Sequence, residues 1–109
     1  MDFSWYEAAA ARTAPSAGSR RETLLLAGLG LAGEAGEVAD HIKKVAFHAH
    51  DLDADHVAEE LGDILWYAAL AARAIGVTLA DVAAMNIRKL ERRYPEGFSS
   101  ERSRKREGT

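Results

Sequence analysis

No stretch of this chain alternates apolar and polar residues with period two. Its apolar positions instead return every three or four residues, the spacing of one face of an α-helix. Alanine is abundant and β-branched runs are nearly absent, which adds helix propensity to the pattern. The expected fold class is therefore all-α. A length of 109 residues argues for one domain with a thin core, so oligomerisation would help to complete it.

Breakers and caps divide the chain into four helices. The first is expected from Ser4 to Thr13, ended by Pro15, Ser16 and Gly18. The second opens with a capping box, Ser19 and Glu22, carries Leu25, Leu29, Val38, Ile42 and Val45, and ends near Phe47. The third starts at Asp53 or Asp55. Its expected buried stripe is Val57, Leu61, Ile64, Leu65, Ala68, Ala72 and Ile75, and Gly76 is its stop. The fourth has Thr78 as N-cap with Asp81 at the capping-box position. Leu79, Val82, Met85 or Ile87, and Leu90 form its apolar side, and Pro95 and Gly97 end it. Short connections between such helices imply an antiparallel four-helix bundle over residues 1–98, followed by a basic, flexible tail over 99–109.

Composition removes several functional classes. Apolar residues are 48% and charged residues 28%, a globular balance. With no cysteine there is no disulfide framework and no thiolate zinc site. The start, Met1-Asp2-Phe3-Ser4-Trp5, lacks the basic and apolar regions of a signal peptide. The longest uncharged stretch, Thr23 to Gly33, is far short of the roughly 20 residues that span a bilayer. A soluble cytoplasmic protein without a membrane partner is expected. The net charge is −3 although the tail holds four basic residues against two acidic ones, so the body is acidic and unsuited to stable nucleic-acid binding.

Gly28-Leu29-Gly30-Leu31-Ala32-Gly33 matches G-x-G-x-x-G, with Asp51 and Asp53 about 20 residues on. That fingerprint needs a preceding strand and a βαβ unit, and here it follows a helix capping box. The glycines call for another reason, because each costs a helix interior about 1 kcal/mol relative to alanine. Close helix packing and room for a ligand are the two candidates.

The chemistry-bearing pattern is a pair of carboxylate pairs. Glu34 and Glu37 lie three apart on the second helix; Glu60 and Asp63 lie three apart on the third. Residues at that spacing share a helix face. Small residues surround the first pair, and Ile64-Leu65-Trp66-Tyr67 follow the second. If the helices are antiparallel neighbours, four like charges meet and repel unless a divalent cation neutralises them. All-oxygen ligation favours Mg²⁺, Mn²⁺ or Ca²⁺ over zinc. The metal would also let an acidic pocket accept a polyphosphate.

Three motifs, Gly-Leu-Ala-Gly-Glu-Ala-Gly-Glu (30–37), Glu-Glu-Leu-Gly-Asp-Ile-Leu-Trp-Tyr (59–67) and Asn-Ile-Arg-Lys-Leu-Glu-Arg-Arg-Tyr-Pro-Glu-Gly-Phe (86–98), closely resemble MazG-type nucleoside triphosphate pyrophosphohydrolases. The resemblance runs from about Trp5 to Arg104. It implies an all-α fold in which Glu34, Glu37, Glu60 and Asp63 hold Mg²⁺, with Mn²⁺ as a substitute, and act in catalysis. It further implies hydrolysis of a nucleoside triphosphate between its α and β phosphates, releasing a monophosphate and pyrophosphate, and assembly as a homodimer or homotetramer with active sites near the subunit interface. By the same resemblance Tyr67 stands where relatives set an aromatic against the nucleotide, and Asn86, Lys89 and Arg93 match contacts to phosphate or sugar. Lys43 and Lys44 can reach phosphates or serve the helix C-terminus. Trp5 and Tyr6 can close over a base, and Glu59 is a spare ligand or base.

Competing readings are a non-catalytic helical dimerisation module and a phosphoribosyl-ATP pyrophosphohydrolase. The latter shares the carboxylate helices but not the segment from Asn86 to Phe98. A di-iron bundle needs Glu-x-x-His, which is absent; His41 is four after Glu37. His48 and His50 near Asp51 and His56 could bind an adventitious metal, but a solvated polar loop is the expectation.

Overall fold

The computed structural model describes residues 1–15 and 18–97. The tail over 99–109 lies outside the described residues. Four α-helices follow one another: α1 (Phe3–Ala11), α2 (Arg20–Phe47), α3 (Ala54–Ala74) and α4 (Leu79–Arg93). No strand occurs among the described residues, so the all-α expectation holds.

Local chemistry sets the ends. Asp2 caps α1, its Oδ1 accepting from the Trp5 N–H at 2.8 Å, so α1 begins a residue earlier than the sequence suggests. Ser19 Oγ caps α2 by accepting from the Glu22 N–H at 3.1 Å, and it donates to the Glu22 carboxylate at 3.4 Å. After Phe47 the N–H groups of His48 and His50 both donate to the Lys44 carbonyl, and Ala49 takes a positive φ of 57° to turn the chain. Asp53 caps α3 through the His56 N–H at 3.0 Å. At the other end Gly76 adopts φ 82°, and the Val77 N–H reaches the Ala72 carbonyl. The G-x-G-x-x-G stretch sits wholly within α2, which removes the dinucleotide-binding reading.

The chain divides into two compact units, Met1–Leu79 and Ala80–Thr109. In the first, α2 and α3 form the main pair and α1 lies against α3. Three contacts give the register of that pair. The Asp53 N–H meets His41 and the His56 ring lies beside it; Glu60 lies against Glu34 and Glu37; Tyr67 covers Gly30. Numbers fall on α2 as they rise on α3, so the helices are antiparallel. The facing stripe of α2 is Gly30, Glu34, Glu37 and His41. That of α3 is His56, Glu60, Asp63 and Tyr67. Both follow i, i+4, i+7, i+11, one face of a helix.

The glycine question resolves at one position. A Cβ on Gly30 would overlap the Tyr67 ring at Cε1, Cζ and Cδ1, so glycine here permits the close approach. Gly28, Gly33 and Gly36 face open space. On the other side of α3, Trp66 donates from Nε1 to Thr13 Oγ1 at 2.8 Å and meets Tyr67 edge-on at 5.0 Å between centroids. That hydrogen bond ties the end of α1 to α3.

The core is thin and made mostly of small residues: Ala27, Ala69, Leu70, Ala72 and Leu79. Part of the expected α3 stripe is not buried. Leu61 and Ile75 are more than half exposed, although Ala72 of the same stripe is buried. Leu25, Leu29 and Ile42 of α2 are exposed as well. In the second unit α4 carries exposed Val82, Met85, Ile87 and Leu90 on an otherwise charged helix.

Candidate metal centre between two helices

Glu34 and Glu37 reach α3 because they stand in the facing stripe of α2, and Glu60 meets them from α3. One carboxylate oxygen from each of the three falls within 4.8 Å of the others. Burial is uneven: Glu60 is 8% exposed, Glu34 is intermediate and Glu37 is exposed. Asp63 stands outside this close cluster and is exposed. The antiparallel register sets it opposite Glu34, and its charge also acts on Tyr6 of α1. Burial and then the Asp63 charge raise the Tyr6 phenol above its ordinary value. Glu59 is exposed and outside the cluster.

The carboxyls perturb one another. Glu60 is pushed up to about 8 from the usual carboxylate range. The chief cause is the adjacent Glu34 carboxyl, followed by burial, the Glu37 carboxyl, and repulsion from these two neighbouring charges. Glu34 Oε2 and Glu60 Oε2 are buried and find no hydrogen-bond donor. Buried carboxylate oxygens without donors are costly. A divalent ion would satisfy both and remove the repulsion. The donor set is all oxygen, which fits a hard cation such as Mg²⁺ or Mn²⁺.

An open cleft adjoins the cluster, lined by Gly33, Gly36, Glu37, Asp40, His41, Lys44 and His56. Gly33 and Gly36 leave it room, since nothing stands over their Cα atoms. Lys44 lies 3.0 Å from Asp40 Oδ2, and Lys43 lies 3.5 Å from Oδ1. These two lysines, Lys44 foremost, hold the Asp40 carboxyl below its ordinary range.

The other expected ligand contacts are divided. Tyr67 is half-buried in the α2–α3 seam, packed on Gly30. Asn86, Lys89 and Arg93 share one face of α4 at i, i+3 and i+7, in the second unit. Two groups beside the carboxylates were not expected there. His56 stands on α3 and not in the polar loop expected for it, and both it and His41 line the cleft. The legible signal was their spacing: His41 is four after Glu37 and His56 four before Glu60, so each shares a face with a carboxylate.

An all-α unit with carboxylates converging across an antiparallel helix pair belongs to a class of proteins with an acidic site that could hold a metal ion. The comparisons give the family. The MazG nucleotide pyrophosphohydrolase domain matches residues 22–98, which contain the carboxylates of both helices, and the chain belongs to that family. It is also 37% identical over 105 residues to the Gene 37 protein of Mycobacterium phage L5, covering 89% of this chain and 92% of that one. No solved structure matches the chain. No described helix is long and apolar enough by itself to cross a membrane.

Proposed function

We propose that this protein hydrolyses a nucleoside or deoxynucleoside triphosphate to the monophosphate and pyrophosphate, using Mg²⁺ held by Glu34, Glu37, Glu60 and Asp63. The observation that carries the reading is the three-carboxylate cluster with its donorless buried oxygens, Glu34 Oε2 and Glu60 Oε2. Family membership supplies the nucleotide pyrophosphohydrolase class. When bound, the metal supplies positive charge to the phosphates and lowers the pKa of a coordinated water.

The roles follow from exposure. Buried Glu60 and half-buried Glu34 hold the ion from inside the seam. Glu37 lines the open cleft, so it is the carboxylate placed to take a proton from the attacking water. Attack at the α phosphorus breaks its bond to the bridging oxygen, and pyrophosphate leaves. Lys44, also in the cleft, meets phosphate oxygens after exchanging its partner Asp40 for them. Tyr67 packs against the nucleotide, and Asn86, Lys89 and Arg93 bind phosphate or sugar. The work is done by a soluble homodimer or homotetramer, which covers the exposed leucines of α2, and it serves to remove unwanted nucleotides from the pool.

The test is to incubate the protein with common and noncanonical nucleoside triphosphates, with Mg²⁺ or EDTA, and separate the products by chromatography. Monophosphate and pyrophosphate, abolished by EDTA, support the proposal, as does their loss in folded Glu37→Gln and Asp63→Asn. Full activity in both variants overturns the site assignment. A folded protein that turns over no nucleoside triphosphate redirects the search to phosphoribosyl nucleotides or to a non-catalytic module.

A further inference from the structure

The two oxygens of Glu60 have different surroundings. Oε2 is buried without a donor, whereas Oε1 faces His56 Nε2 at 3.9 Å, one helical turn earlier on α3. His56 is itself held in place. Its backbone N–H donates to Asp53 Oδ1 at 3.0 Å, and its ring meets that of His41 edge-on, 5.7 Å between centroids and 76° between planes. His41 in turn accepts the Asp53 N–H at Nε2, at 2.9 Å. That bond fixes the ring. One residue, the N-cap of α3, therefore anchors both histidines, His41 from α2 and His56 from α3.

From this arrangement we infer that His56 is a positioning residue for Glu60. Its Nε2 stands beside Oε1, and a bond there would leave the partnerless Oε2 for a cation. The gap of 3.9 Å is longer than a hydrogen bond. A small rotation of either side chain would bring the pair to hydrogen-bonding distance. Ligating carboxylates are commonly held by such outer hydrogen bonds, and losing one typically weakens metal binding about 10–100-fold. His41 acts one step further out. Its bond to the start of α3 sets the end of the α2–α3 seam and keeps the His56 ring turned toward Glu60.

The inference rests on the proposed use of the carboxylate cluster as a metal site, so the probe is Mn²⁺ alone, with no substrate. Mn²⁺ binding to the full chain is read from the loss of the free-ion electron paramagnetic resonance signal. Circular dichroism of each variant establishes that it is folded. His56→Phe keeps a ring against His41 but removes the donor, and Mn²⁺ affinity should fall about 10–100-fold. His56→Gln places an N–H₂ near the former Nε2 and should restore most of it, which a merely structural role would not produce. Wild-type affinity in His56→Phe overturns the inference, as does equal loss in both variants. Electron spin echo modulation from ¹⁴N on the bound Mn²⁺ also overturns it, because His56 would then be a direct ligand. If the wild-type protein binds no Mn²⁺, the proposed metal site fails and this inference with it.

Discussion

Glu60 shows how much one side chain depends on its neighbours. A carboxyl with an ordinary value of 4.5 is raised to about 8 by Glu34, burial and Glu37. Its folded pKa then exceeds its unfolded one, so between these values the folded chain holds more protons than the unfolded chain. Without metal, stability should therefore fall as pH rises from about 4.5 to about 8. Thermal unfolding in EDTA across that range should show a declining Tm, and Glu60→Gln should flatten the slope. With Mg²⁺ present the trend should oppose this, since the ion competes with the proton and its stabilising effect grows with pH. A Tm in EDTA that rises steadily through this window would contradict the geometry of the cluster.

At the scale of elements, the α2–α3 seam combines two kinds of contact. Its middle is polar, with carboxylates where a helix pair would ordinarily bury leucines, and one end is closed by Tyr67 on Gly30. The close approach there depends on the missing Cβ. Gly30→Ala gains about 1 kcal/mol of helix propensity but drives a methyl into the ring. A net destabilisation of about 1–3 kcal/mol is expected from overpacking. Urea unfolding measures it, and the double variant Gly30→Ala with Tyr67→Ala should lose most of that penalty. A neutral or stabilising Gly30→Ala would mean that Tyr67 moves aside at no cost.

For the whole molecule, the exposed apolar residues of the first unit are the outstanding feature. Leu29 is 72% exposed and Phe47 80%, while the core consists mainly of alanines and a few leucines. Isolated exposed leucines are ordinary, but several on one long helix of a small chain are a liability in water. Under the proposed assembly, sedimentation should show a dimer or tetramer for the wild-type chain. Leu29→Lys should shift it toward monomer, with Mn²⁺ affinity retained if the metal site lies within one chain. A wild-type chain that sediments as a monomer at all concentrations would remove the oligomer from the proposed function.

Much of this protein was decided by its sequence alone, because the signals are local. The cap at Ser19, a cap at Asp53 or Asp55 and the stop at Gly76 are short-range chemistry, and the structure uses Ser19, Asp53 and Gly76. The carboxylate pairs Glu34/Glu37 and Glu60/Asp63 were legible for the same reason, since i, i+3 spacing puts them on a common face before any packing occurs. Only the tertiary structure decided which face of each helix turns inward. Antiparallel pairing in one register brought Glu60 against Glu34 and Glu37, placed Asp63 outside the tight cluster, and set His41 and His56 beside it. It also exposed Leu61 and Ile75, which helical period alone had assigned to the core. Periodicity describes a helix as a cylinder with an apolar side. What that side meets depends on residues tens of positions away, and here the seam was given to carboxylates and histidines.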